Sequence, residues 1–245
     1  MQKLKNHILD YKLDTMTLVA CLVGTNGLVL AADSRGTIGD PRGLTAINDT
    51  QRKLFRLTKF VGILSYGSGE VAAQMISEVQ SNIEDNEARI DAILVTARSV
   101  MRDRYQDWFK NVVPDDKQVI GFILGGLDES WNPKAFYLTS NIDFAPQLVT
   151  TGIALGGVPQ YATYLVHRLY NPAMNREHLM SLAVYIIAET ATQDPKVGSP
   201  IRLAQISKDN GFEEVDEKPT IAIKERNDEQ NLRLREFFFG GQNKA

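Results

Sequence analysis

Cysteine is nearly absent. Cys21 is the single thiol among 245 residues, so no intrachain disulfide can staple the fold. Histidine is almost as scarce, at His7, His167 and His178. His167 and His178 fall in helical patterns, where an ordinary surface or hydrogen-bonded role suffices. A Ser-His-Asp or Cys-His device is therefore disfavoured, and no Cys/His cluster has zinc spacing. The glycine-rich "GSG" at 67–69 lacks the Lys-Ser/Thr tail of a phosphate loop and does not form a dinucleotide fingerprint. No metal and no cofactor are expected. No apolar run approaches ~20 residues, so no helix is expected to span a bilayer. A net charge of −3 argues against binding of nucleic acid or a membrane surface through bulk charge. The opening "MQKLKNHILDYKLD" lacks the apolar core and small-residue cleavage site of a secretory signal. Together with the lone cysteine, this leads us to expect a cytoplasmic protein.

What is present is ordinary globular material, 43% hydrophobic and 23% charged, in a chain long enough to bury a sizeable core. No repeat, low-complexity stretch or linker divides it, so one domain is expected. Residues 17–24 and 27–33 flank an Asn-Gly turn and read as a hairpin. "GTIGDPRGLTAINDT" at 36–50 reads as a long loop, a length that is usually functional or mobile. "RKLFRLTKFVGILSYGSG" supplies two short strands. From Glu70 to about Val112 the period becomes helical, with a break near 84–86 that implies two antiparallel helices. Strands return at 118–128, 135–140 and 146–152. "VPQYATYLVHRLY" and "NREHLMSLAVYIIAETATQ" read as two more helices, Pro159 sitting where a first turn needs no N–H. "IRLAQIS" and "PTIAIK" read as late strands and 226–239 as a last helix. Strands, helix pair, strands, helix pair and strands suit an α+β fold of two stacked antiparallel sheets with helices outside.

Three residues carry chemistry. Thr17 opens the first strand. Asp33 closes the second, sixteen positions on, so a hairpin brings the two to one sheet edge. Lys53 starts the next apolar run, and an ammonium beside a carboxylate tunes neighbouring groups. A threonine hydroxyl needs a base, and its own α-amine serves if the residue is N-terminal. Such an amine titrates near ~8. Singly, each residue also has a plain reading: Thr17 as a strand edge, Asp33–Arg35 as a surface pair, Lys53 as a solvated end.

In combination, the chain resembles the proteasome family, threonine proteases of the N-terminal-nucleophile (Ntn-hydrolase) class. "GLVLAADSR", "RKLF", "SYGSGEVAAQ", "FILGGLD" and "ATQDPKVGSP" resemble that family's motifs in order. The resemblance implies a four-layer αββα sandwich and self-association into rings around an inner chamber. It also implies unfolded polypeptide as substrate and an ATPase unfoldase as a possible partner. It assigns Thr17 as nucleophile, Asp33 and Lys53 as the charged pair tuning it, and Gly67 as the oxyanion-hole amide. Asp194 would support the threonine amine. Thr37 would bind substrate through its backbone, and Gly36, Ser65 and Gly69 would line a roomy specificity pocket. The apolar helices at 71–83 and 178–188 would supply ring contacts, and the aromatic "REFFFGGQNKA" end could dock on a neighbour.

The chain departs from the family pattern in places. The segment between Asp33 and Lys53 is longer than is usual. Ile153 and Ala154 follow "TG" where a serine is usual, and Val197 stands in a second serine position, with Ser199 close by. Met16 replaces the usual glycine before the threonine. Residues 1–16 are accordingly expected to be an N-terminal extension or propeptide, 17–225 the catalytic domain and 226–245 a helical tail. Either Met16 is the true start or 1–16 are cleaved, exposing Thr17. Three activities stay open: a threonine endopeptidase in a ring, a non-catalytic ring subunit, and an amidohydrolase acting on a small amide.

Overall fold

The computed structural model describes residues 17–39, 45–113 and 117–240. The expected 1–16 extension lies outside them. Two five-stranded antiparallel sheets carry the fold. One has the order β10-β1-β2-β11-β12, with β1 at Leu18–Gly24, β2 at Gly27–Ala32, β10 at Ile153–Gly157, β11 at Arg202–Ser207 and β12 at Gly211–Val215. The other has the order β5-β6-β7-β8-β9, with β5 at Leu54–Arg56, β6 at Val61–Gly67, β7 at Ile120–Leu127, β8 at Pro133–Thr139 and β9 at Gln147–Leu148. Helices α1 (Gly69–Ser81) and α2 (Ile90–Trp108) cover the second sheet, and α3 (Gln160–Leu169) and α4 (Arg176–Gln193) cover the first.

Strand side chains alternate between faces, and three cores result. Leu18, Ala20 and Leu22 of β1 face α3 and α4. Val19 and Cys21, with Leu28 and Leu30 of β2, face the other sheet, where they meet Leu64 and Ile123. Phe122 and Leu124 of β7 turn outward to Met75, Val79, Ala97 and Met101 of α1 and α2. A strand covered on both faces reads as continuous apolar sequence, which is why β1, β2 and β7 showed no polar alternation. These are the two stacked sheets with helices outside expected from the strand and helix order, in the four layers that the resemblance implied. Cys21 is fully buried between the sheets, and burial pushes its thiol up to about 12.

Several local expectations are corrected. Residues 36–50 contain a hairpin of β3 (Gly36–Gly39) and β4 (Thr45–Asn48), paired Gly36↔Asn48 and Thr37↔Ile47. Residues 40–44 lie outside the described residues. The strand expected over 146–152 is present but short, β9 pairing Gln147 and Leu148 with Tyr137 and Phe136, and a further strand, β10, follows at Ile153–Gly157 and pairs with β1. The stretch 219–224, expected as a strand from its β-branched residues, is helical within α5 (Glu217–Phe239). Pro219 sits in the first turn, where an N–H has no helical partner, so it starts the helix rather than breaking it. The 225/226 boundary therefore falls inside one helix. Asn227 and Asn231 fasten α5 to α4, bonding Ser181 at 2.9 Å and Glu189 at 2.7 Å. On α1 and α4, the helices expected to supply ring contacts, Met75, Val79, Leu179, Ala183 and Ile186 are fully buried in the chain's own cores. The exposed aromatics include Phe237, Phe238 and Phe239 of α5, at 80%, 67% and 74%, and Tyr161 and Tyr164 of α3.

Candidate active site

The site forms where the first hairpin ends. The antiparallel register Val19↔Ala32 sets the start of β1 beside the end of β2. The Asp33 amide donates to Leu18 O at 3.1 Å, closing the ladder. Thr17 and Asp33 then face each other across one residue step, and the Thr17 hydroxyl donates to Asp33 Oδ1 at 2.7 Å. Lys53 arrives from the second sheet. Its carbonyl accepts the Ser65 amide at 2.9 Å, which fixes it to β6. Its Nζ reaches the same Asp33 Oδ1 at 2.6 Å and Arg35 O at 2.6 Å.

Asp33 accepts five hydrogen bonds from the described residues. Oδ1 takes Thr17 Oγ1, Lys53 Nζ and the Leu18 amide at 3.0 Å. Oδ2 takes the amides of Arg35 at 3.1 Å and Gly198 at 3.2 Å. A buried carboxylate is tolerated only with such partners. Asp33 and Lys53 are both buried, and burial pulls the Lys53 ammonium below the usual lysine range, with the Asp33 charge and hydrogen bond opposing it. The two are a buried ion pair, not a surface one. Arg35 does not pair with Asp33 through its guanidinium. That group forks onto Asp49, Nε to Oδ1 at 2.8 Å and Nη2 to Oδ2 at 3.0 Å.

Two glycines of the site have left-handed backbones, and one of them, Gly157, lies against the threonine. Gly157 has φ +94°, and a Cβ there would lie 1.9 Å from Thr17 O, whose acceptor role is filled by Val158 N at 2.7 Å. Gly67 has φ +99°, with Val119 O 2.4 Å from any added Cβ. Both backbones are in the region that favours glycine. Tyr66 connects the two strand ends. Its ring occupies the space beside Gly121 of β7 and Gly156 of β10, where an added Cβ would lie 2.1 Å from Cζ and 2.4 Å from Cδ1.

The residues expected to line the pocket sit together, but the room is filled. The Gln51 amide lies 2.6 Å from a Cβ at Gly36 and 1.4 Å from one at Gly69. Gln51 thus takes the space those glycines leave, and Ser65 is buried beside Lys53. Thr37 sits in β3, which pairs only with β4 among the described residues. Asp194 caps α4, and its carboxylate accepts the Lys196 amide at 2.9 Å. No hydrogen bond joins Asp194 to Thr17 among the described residues. The segment after it does reach the site, through the Gly198 amide.

Ile153 and Ala154, taken as standing near the threonine, pair instead with Leu22 and Cys21, deep along β1. Gly156, Gly157 and Val158 are what lie beside residues 17–19. Val197 is fully buried against the α3–α4 layer, and Ser199 is exposed. Gln51, Gly157 and Gly198 were missed in the sequence. The doublet Gly156–Gly157 at a strand end was a readable signal of close approach.

The described residues contain no helix long and apolar enough to cross a membrane. Comparison with known proteins agrees with the architecture. The chain is 23% identical over 199 residues to a proteasome subunit beta of Methanosphaera stadtmanae, covering 79% of this chain and 87% of that one. It is 20% identical over 211 residues to a proteasome subunit beta of Methanopyrus kandleri, covering 84% and 96%. Its fold is similar to that of an Anbu (Gly-1) mutant from Hyphomicrobium sp. strain MC1, with a TM-score of 0.68 at 18% identity, over 91% of this chain and 96% of that one. The family described as "Proteasome subunit" matches residues 15–206, a span running from just before Thr17 into β11, and on that match the chain belongs to the proteasome subunit family.

Proposed function

We propose that the protein is a threonine-type endopeptidase that hydrolyses peptide bonds of unfolded polypeptides within a ring of its own copies. The observation that carries this reading is the shared acceptor: Thr17 Oγ1 and Lys53 Nζ both bond Asp33 Oδ1. Through that shared oxygen the hydroxyl is held on the carboxylate that also holds a buried cation, and a cation so placed lowers the cost of negative charge developing on Oγ1.

The reaction requires a free amine at Thr17, and so a chain cut before it. The amine then takes the Oγ1 proton as the oxygen attacks the scissile carbonyl carbon. The oxyanion so formed meets the Gly67 amide, a donor of a kind that contributes ~3–4 kcal/mol. Collapse breaks the C–N bond, the amine's proton passes to the leaving nitrogen, and an ester to Thr17 remains. Water, deprotonated by the same amine, cleaves the ester and restores the hydroxyl. Asp33 holds Lys53 throughout. The open edge of β3 around Thr37 suits an extended peptide added as a strand. Gln51 beside Gly36 and Gly69 favours small or polar side chains at the cut.

A second reading is a non-catalytic ring subunit. It is favoured by the 3% exposure of Thr17, whose nitrogen is a peptide amide in the full chain. Intact mass and N-terminal sequencing, followed by peptide hydrolysis with native protein and Thr17→Ala, separate the two. Hydrolysis by a Thr17-terminated chain, lost in Thr17→Ala, supports the peptidase. A Thr17-terminated chain without hydrolysis supports the structural subunit.

A further inference from the structure

We infer that Arg35 is a positioning residue that ties the β3–β4 hairpin and the 195–198 segment to the alignment of Asp33. The inference rests on the peptidase reading above. It starts from Asp33 Oδ2, which has only two donors among the described residues, the amides of Arg35 and Gly198. Arg35 controls both. Its own N–H is the first. Its guanidinium holds the second, donating from Nη1 to Pro195 O at 3.0 Å. The same group packs on Gly198 so closely that a Cβ there would lie 2.5 Å from Arg35 Cζ.

The other end of the guanidinium forks onto Asp49, one residue past β4. Arg35 O accepts Lys53 Nζ, so the same residue also seats the catalytic cation. Its neighbour Ser34 completes the frame, donating its amide to Gly198 O at 3.2 Å and accepting the Gln51 amide at 3.0 Å. Two segments distant in sequence, at Asp49 and at 195–198, therefore meet on one side chain. A lysine cannot replace it, because a single ammonium cannot fork onto a carboxylate and reach a third oxygen at once.

Arg35 and Asp49 are 22% and 42% exposed in their side chains, and exposed ion pairs add little stability. The bond's effect is therefore expected on alignment, and small misplacements cost about a hundredfold in rate. The test uses the full-length protein with Asp49→Asn and Arg35→Lys, neither of which removes a group that touches substrate. Three quantities are measured: hydrogen exchange of peptides covering 194–198, the thermal midpoint, and kcat and KM for a fluorogenic peptide. The expected result is exchange at 194–198 at least about tenfold faster, a midpoint within about 3 °C, and kcat about ten- to a hundredfold lower with KM within about twofold. Asp49→Glu, which keeps the acceptor pair, restores most of the exchange protection. Unchanged exchange at 194–198 overturns the inference, as does faster exchange with kcat unaltered. Uniformly faster exchange with a large fall in midpoint also overturns it, because it means a structural role alone. If the native Thr17-terminated chain hydrolyses nothing, the peptidase reading fails, while the exchange and midpoint data still decide whether Arg35 holds the 195–198 segment.

Discussion

The carbonyl oxygen of Thr17 lies 1.9 Å from where a Cβ at Gly157 would be. The first strand of the fold therefore begins against a position that admits no side chain. Gly157→Ala is expected to destabilise the protein by roughly 2–3 kcal/mol, from the positive φ and the backbone clash together. Because the clash is with Thr17 itself, hydrolysis should fall further than stability accounts for. Urea unfolding beside peptide hydrolysis checks this, and an unaltered midpoint would contradict the geometry.

Lys53→Met removes the cation and leaves Asp33 buried without its ionic partner. Breaking a buried pair from one side costs about 3–5 kcal/mol. Activity is expected to fall at least about a hundredfold. Denaturant titration gives the first figure and initial rates the second.

The same lysine makes stability depend on alkaline pH. Burial lowers its affinity for a proton in the folded state below that of the unfolded chain. Between the lowered folded value and the unfolded value near ~10.4, the unfolded chain binds more protons, so unfolding free energy rises with pH through that window. Lys53→Met lacks this term. The difference in unfolding free energy between native protein and Lys53→Met should therefore grow in favour of the native protein as pH rises toward ~10. A flat or falling difference would contradict the assignment.

Gln51→Ala opens the space beside Gly36 and Gly69. Gln51 is only partly buried, so stability should change by less than about 1 kcal/mol. Cleavage preference should move toward larger apolar side chains, read by a peptide library of varied residue at the cut. An unchanged preference would place the specificity pocket elsewhere.

Replacing Phe237, Phe238 and Phe239 with serine should leave the unfolding midpoint nearly unaltered, since all three face solvent. If those rings dock on a neighbouring copy, light scattering will show a smaller assembly.

The layers and most helices were legible because each rests on one strong local signal. The two-residue Thr25–Asn26 turn with Gly27 after it marked the first hairpin, and the apolar spacing through Met75, Val79, Ile93 and Met101 marked the first helix pair. The pairing of Thr17, Asp33 and Lys53 was legible because a hairpin's length dictates where its ends meet. The β3–β4 hairpin was not, since Ala46 and Ile47 of β4 are exposed and leave no buried apolar period to read. The start of α5 was hidden by Ile221 and Ile223, β-branched residues used here on a helix. The register of β10 was hidden because several glycines and small residues in "TGIALGG" fit equally well against β1. Gly198 and Gln51 could not be found from spacing at all, since each reaches the site across a distance in sequence that only the folded chain closes.

Cys21 gives the molecule a practical property. Its thiol is sealed between two sheets and held protonated far above neutrality, so alkylating reagents should pass the folded protein by. The reaction opens only when the sheets part, which makes labelling of the native chain a direct clock for global opening. Any cysteine placed on the surface, at Phe238 for example, would then be the sole quick-reacting thiol, and a single dye would report on one known point of the chain.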